Sequence, residues 1–156
     1  MSTPVKSVRM TEDEIWDFLR EGHTGIFATL RSDGVPIMMP IWYAVVERRV
    51  YIQTRGKKLT RVTNDPRASF LVESGERWAE LRAVHLTGRA EIIEPSPELA
   101  EAIRSEMDRK YAASRTARSE MPEATRGVYQ QAQRATVRLT PDARVLNWDN
   151  RKLGVE

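Results

Sequence analysis

The stretch Gly25-Ile26-Phe27-Ala28-Thr29-Leu30-Arg31-Ser32-Asp33-Gly34-Val35-Pro36-Ile37-Met38-Met39-Pro40-Ile41-Trp42-Tyr43 decides the fold. Its first six residues are apolar and rich in strand formers, and Ser32-Asp33-Gly34 carries turn chemistry. Ile37 to Val46 then reads as a second strand, so the pair is a β-hairpin. Pro40 falls inside that second strand. Proline has no N–H to give a ladder and sits only at a sheet edge or a bulge. The strand is therefore expected to be irregular near Met39-Pro40-Ile41, with main-chain groups left free to meet something other than a neighbouring strand.

Working outward, Thr11-Glu12-Asp13-Glu14 is a capping box that opens a helix with Ile15, Phe18 and Leu19 on its apolar side and Gly22 as its stop. After the hairpin, Glu47-Arg48-Arg49 turns the chain into a third strand, Val50 to Thr54. The basic loop Arg55-Gly56-Lys57-Lys58 runs into a short helix, Lys58 to Asn64, which Asp65-Pro66 ends. Ala68 to Glu73 and Ala83 to Ile93 read as strands four and five, Gly88 marking a bulge or a close approach. Ser96-Pro97 starts a helix with Leu99, Ile103, Met107 and Tyr111 on one face. A polar connection, Ala112 to Pro122, leads to a second helix over Glu123 to Gln133, with Ala124, Val128 and Ala132 on one side. Ala135 to Leu139 and Ala143 to Trp148 are the last strands. Six or seven short strands at hairpin spacing, not alternating with helices, predict a mainly β protein, an antiparallel barrel with peripheral helices. One domain spans 1–156, interrupted by a helical insertion at about 96–133.

Composition narrows the class of function. The 156 residues are 40% hydrophobic and 30% charged, and no apolar run nears the length of a membrane span, so no membrane role is expected. Met1 to Lys6 lack the apolar core of a secretory signal, and a cytoplasmic location is the expectation. Cysteine is absent and only His23 and His85 are present, which excludes disulfides, thiol chemistry and cysteine-ligated metals; no metal site is expected. Net charge is +3, and arginine supplies 20 of the 25 basic residues. That balance suits an anionic ligand, but more often it reflects only a solvated arginine–glutamate surface. Glu47, Asp65 and Glu73 break any basic stripe, so no nucleic-acid partner is expected.

Two features bear on chemistry. Strand, then Thr54-Arg55-Gly56-Lys57-Lys58, then helix places free N–H groups, a helix dipole and three cations together, which suits a phosphate; a solvated basic turn would look the same. The spacing is not that of a P-loop. Ile41-Trp42-Tyr43 beside Pro40 would wall a planar ligand or fill the barrel or a subunit interface. Trp148 is similarly placed among polar groups, and Trp78 reads as an interface anchor. His85 reads as a satisfied structural histidine and His23 as a loop residue. No acid, base or nucleophile cluster appears, so no catalytic residue is assigned and any chemistry must come from a cofactor.

These motifs, in this order, resemble the pyridoxamine 5′-phosphate oxidase-like split-barrel family, whose members bind FMN or the deazaflavin F420. The resemblance runs from about Thr11 to Ile93 and rests on the hairpin, on Met39-Pro40-Ile41-Trp42-Tyr43, on Thr54-x-x-x-Lys58-x-x-Arg61-Val62-x-x-Asp65-Pro66-Arg67-Ala68-Ser69, and on Val84-His85-Leu86-Thr87-Gly88-Arg89-Ala90-Glu91; a looser echo lies at Asn147 to Leu153. It implies a six-stranded split barrel, a homodimer, and FMN, or alternatively F420, in a groove between subunits. By position it implies phosphate contacts from Thr54, Arg55, Lys57 and Lys58, ring contacts from Pro40, Ile41, Trp42 and Tyr43, and an approach by Trp148. The expected function is a flavin- or deazaflavin-dependent oxidoreductase acting on a small organic molecule; the other reading is a non-catalytic flavin or haem binder. Met38-Met39, Ala83 and Trp148-Asp149-Asn150-Arg151-Lys152 stand where the authentic oxidase has other residues, which argues against oxidation of pyridoxamine phosphate itself.

Overall fold

The computed structural model describes residues 6–131 and 133–155. These form eight strands, β1 (Gly25–Leu30), β2 (Pro36–Ile41), β3 (Ala44–Val46), β4 (Arg49–Thr54), β5 (Arg67–Ser74), β6 (Arg82–Ile93), β7 (Ala135–Pro141) and β8 (Leu146–Asp149), with helices α1 (Glu12–Glu21), α2 (Lys57–Asn64), α3 (Pro97–Tyr111) and α4 (Glu123–Gln131). All pairings are antiparallel, in the order β2-β1-β5-β6-β7-β4-β3, and β8 shares one edge of β6 with β7. The mainly β barrel with peripheral helices is as expected. The strand count is not six, because the run from Ile37 to Val46 breaks at Trp42-Tyr43 into β2 and β3.

That break is the split. β2 and β3 are the two ends of the sheet yet consecutive in the chain. The barrel is therefore closed there by two residues of backbone and not by a ladder. Pro40 lies on an end strand, opposite Ile26, where a missing donor is tolerated.

Alternation sorts each strand into two faces. Phe27, Phe70, Val72, Val84, Leu86, Val50, Ile52, Val137 and Leu139 point inward and fill the barrel. Ile15, Trp16, Phe18 and Leu19 of α1 join this core, and α1 begins with the capping box that the sequence announces. A second, smaller core lies outside the barrel, where Ile103 of α3 packs with Ala44 and Tyr51, supported by Leu99 and Met107. The four-residue stripe of α3 thus covers the outer face of β3 and β4. α4 buries none of its residues, so its Ala124 and Val128 side is not a core face, and Ala132 lies outside the described residues.

Turns carry the strain where it is needed. Glu47 and Arg48 both adopt positive φ (49° and 57°), the geometry of a tight hairpin turn, and Arg48 is tied to Glu12 and Asp13 of α1. Gly88 is a close-approach point: a Cβ there would lie 2.1 Å from the Thr140 carbonyl oxygen of β7. Gly88→Ala is expected to cost about 1–3 kcal/mol, because backbone and not a movable side chain is in the way. Urea unfolding checks this, and an unchanged midpoint would contradict the packing.

Candidate functional site

The corner between β2 and β3 leaves the main chain of Tyr43 without ladder partners, and α3 supplies them. The Tyr43 N–H donates to the Tyr111 hydroxyl oxygen (2.9 Å), and that hydroxyl lies 2.8 Å from the His23 carbonyl and 3.0 Å from the Tyr43 carbonyl. The Tyr111 ring stacks on Trp42 with centroids 4.5 Å apart and planes 6° from parallel, while His23 meets both rings edge-on. Tyr43 itself is fully buried and donates its hydroxyl to the Leu19 carbonyl (2.6 Å). Its side chain is core, so only its backbone is available to a ligand. Burial drives the Tyr43 phenol upward and the Tyr111 phenol up to about 12, so both stay neutral donors in the physiological range.

Pro40, Ile41 and Trp42 line a cavity of about 350 Å³ together with Gln53, Met107 and Tyr129. The basic residues after Thr54 divide around it. Thr54 is buried at the end of β4. Arg55 turns toward α4, donating to the Val128 carbonyl (3.4 Å) and lying 4.4 Å from the centre of the Tyr129 ring. Lys57 opens instead on a neighbouring cavity of about 570 Å³, with Arg31, Ile37, Thr60 and Arg61. Lys58 is half-buried in the first turn of α2. Ile37 lies in one cavity and Pro40 and Ile41 in the other, so β2 connects the two.

The start of α2 leaves main-chain donors and cations free in its first turns. Gly56, at φ 71°, offers no capping side chain, the first turn holds no acid, and the space above the glycine is open. Arg55, Lys57, Lys58 and Arg61 form no salt bridge among the described residues, although ten other arginines do. Arg61 donates from Nε to the buried Thr29 hydroxyl (2.8 Å), which holds its guanidinium beside Lys57. Sequence reasoning did not assign Arg61 a role, yet its spacing four residues after Lys57 puts the two on one helix face. Met107 and Tyr129 carried no such signal, since they reach the cavity from helices distant in sequence.

Trp148 is not with these residues. It lies on β8 opposite Ala83, on the outer face, 40% exposed. The strand order puts β8 four strands along the sheet from β2, where Pro40 lies. Trp78 is exposed on a single helical turn. His85 is half-buried on the outer face of β6, and its Nδ1 has no hydrogen-bond partner, so it is not the satisfied histidine expected. His23 is an exposed loop residue bonded to the Thr24 and Ser114 hydroxyls. Among the described residues no cluster of His, Asp or Glu gathers to hold a metal, and no helix is long and apolar enough to cross a membrane.

The family model described as pyridoxamine 5′-phosphate oxidase matches residues 11–143. The chain belongs to this family. A conserved hypothetical protein of Mycobacterium tuberculosis, Rv2991, is 33% identical over 100% of this chain and 94% of its own, with a TM-score of 0.77. Two more distant structures share the fold. The haem-storage protein HutZ of Vibrio cholerae is 17% identical over 88% of this chain and 94% of its own (TM-score 0.63), and an FAD-binding protein of Mycobacterium smegmatis is 19% identical over 88% and 95% (TM-score 0.60). No curated protein matches the chain.

Two measurements test the corner. Tyr111→Phe removes the hydroxyl and leaves the buried Tyr43 N–H unpaired, an expected loss of about 1–3 kcal/mol in unfolding free energy. Lys110, one residue earlier, places its Nζ 3.5 Å from the centre of the Tyr43 ring with no hydrogen-bond partner. Burial, aided by Arg109 and opposed by Glu106, which also pairs with Arg20 of α1, lowers its pKa from 10.5 to about 7. Between those values the unfolded chain binds the extra proton, so this group's contribution to stability rises with pH. The melting temperature of wild type relative to Lys110→Met is expected to climb from pH 7 to about pH 10; parallel profiles would contradict a buried amine.

Proposed function

We propose that this protein is a homodimeric flavin-dependent oxidoreductase that holds FMN, or alternatively F420, by its phosphate at the start of α2. The observation that carries the reading is the uncapped α2 N-terminus with Lys57, Lys58 and Arg61 on the helix and Arg55 just before it, four cations with no carboxylate partner among the described residues. Thr54, Lys57 and Lys58 would hold phosphate, with Arg55 and Arg61 completing the positive field. The backbone of Pro40, Ile41, Trp42 and Tyr43 would lie along the ring, kept in place by Tyr111. A bound flavin would supply hydride or single-electron transfer to a small organic partner, and the protein's own groups bind, orient and exclude water. Family membership and the flavin named for one structural relative support this reading; the departures at Met38-Met39 and Trp148 to Lys152 keep pyridoxamine phosphate out of it.

A second copy of the chain suits the outer sheet face that α3 leaves bare. Register places Pro40, Ile26, Leu71, His85 and Leu146 in one row, with Met38 and Ala28 beside it and Trp148 in the next. Met38 is 66% and Leu146 53% exposed, large apolar side chains on a continuous face. In a dimer across this face, Trp148 of one protomer would approach the ring site of the other.

Lys58→Ala is expected to weaken FMN binding by about 1.5–3 kcal/mol, the scale of a hydrogen bond to a charged group. The test is an absorption spectrum of the purified protein followed by fluorescence titrations with FMN and F420. Saturable binding of one of them, weakened in the variant, supports the reading. A Soret band with no response to either would replace it by haem binding.

A further inference from the structure

The cavity at the barrel corner holds groups that phosphate and ring binding leave unused. Among the described residues, its ionisable lining is Tyr129 of α4 and Arg134 of the following connection, and no carboxylate lines it. Arg134 makes no salt bridge among the described residues. Its guanidinium lies 5.7 Å from the centre of the Tyr129 ring, and that of Arg55 lies 4.4 Å from the same ring. Two arginines thus lie near one aromatic ring, neither with a carboxylate partner among the described residues. The other walls are Trp42, backed by Tyr111, and Met107 of α3, with Thr24 and the Gln53 amide adding polar groups to a lining that is more polar than apolar.

The origin of these walls points the same way. α4 buries none of its own residues, so core packing does not account for its position. It is tied to the barrel by Arg55, through the Val128 carbonyl and the Tyr129 ring. What α4 and its connection add to the barrel is a cation and an aromatic ring in a cavity of about 350 Å³, room for a small ring compound.

We infer that this cavity is a substrate subsite for a small aromatic carboxylate, its carboxylate on Arg134 and its ring against Trp42 and Met107. The assignment rests on the flavin reading for its role as the redox partner's seat, since Pro40 and Ile41 line the same cavity. The cation is Arg134 and not Arg55, because Arg134 lines the cavity and Arg55 does not.

The test is calorimetric titration of the full-length protein, as purified and FMN-loaded, with 2-naphthoate and its neutral match 2-naphthamide. Wild type, Arg134→Gln and Arg134→Lys are compared, with FMN and F420 titrations on each. Wild type is expected to bind naphthoate about tenfold or more tightly than naphthamide, the effect of one charge-assisted contact. Arg134→Gln abolishes that preference, Arg134→Lys keeps part of it, and FMN affinity is unchanged by either. Equal binding of the two compounds by wild type, or a preference that survives Arg134→Gln, overturns the assignment. A loss confined to F420 assigns Arg134 to the acidic tail of that cofactor and also overturns it. Naphthoate binding through Arg134 in a protein that takes neither FMN nor F420 supports the subsite while removing the flavin reading. Flavin binding without naphthoate binding does the reverse. Should Arg134→Gln fail to fold, the wild-type preference and Arg134→Lys decide.

Discussion

Everything in this barrel depends on two residues of backbone that belong to no ladder. Trp42 and Tyr43 carry the chain from one end of the sheet to the other, and a buried amide left without a partner there would cost on the order of the hydrogen bond it lacks. The Tyr111 hydroxyl meets that amide, and the same hydroxyl has two carbonyls within hydrogen-bonding distance. A single side chain from α3 therefore stands in for a strand. Its ring then fixes Trp42 by stacking, so the corner's backbone and its most prominent aromatic are set by one contact.

Once the corner is fixed, the two outer faces of the sheet take different fates. α3 must reach the corner with its last residue, and its body consequently lies over β3 and β4, where Ala44, Tyr51 and Ile103 form a second core. The face formed by β2, β1, β5, β6 and β8 receives no helix. Strands there alternate apolar-in with half-apolar-out, as in a sheet meant to be covered on both sides. This is the physical content of the dimer reading: a half-apolar face is left bare because the chain's own helices are committed elsewhere.

The sequence displayed the fold more clearly than the site. Hairpin chemistry at Ser32-Asp33-Gly34, the capping box at Thr11-Glu14, the stripe from Leu99 to Tyr111 and the stop at Asp65-Pro66 each act within a few residues, and each is found where the local pattern puts it. Pro40 signalled an irregular strand for the right reason, though the break falls two residues later, because proline can pair through its carbonyl while the turn of the barrel has to be made where the sheet ends. The count of strands followed from that displacement. The site was legible only in its local part. Thr54 to Lys58 are contiguous and announced themselves, whereas Arg61 required a helical face, Tyr111 a contact across 68 residues, and Tyr129 a helix with no buried side. No local pattern encodes a contact at that separation.

Charge shows the same division between what composition states and what placement decides. A net charge of +3 is compatible with an anion site or with a plain solvated surface. Pairing separates the two. Arg20, Arg48, Arg67, Arg104, Arg109 and Arg151 all lie against carboxylates, where exposed pairs contribute little to stability and leave nothing for a ligand. The cations from Arg55 to Arg61 have no such partners, and they stand at a helix start without a cap. Their unpaired grouping is what the proposed anion site rests on. The functional reading follows from that local imbalance, in a chain whose overall charge is almost neutral.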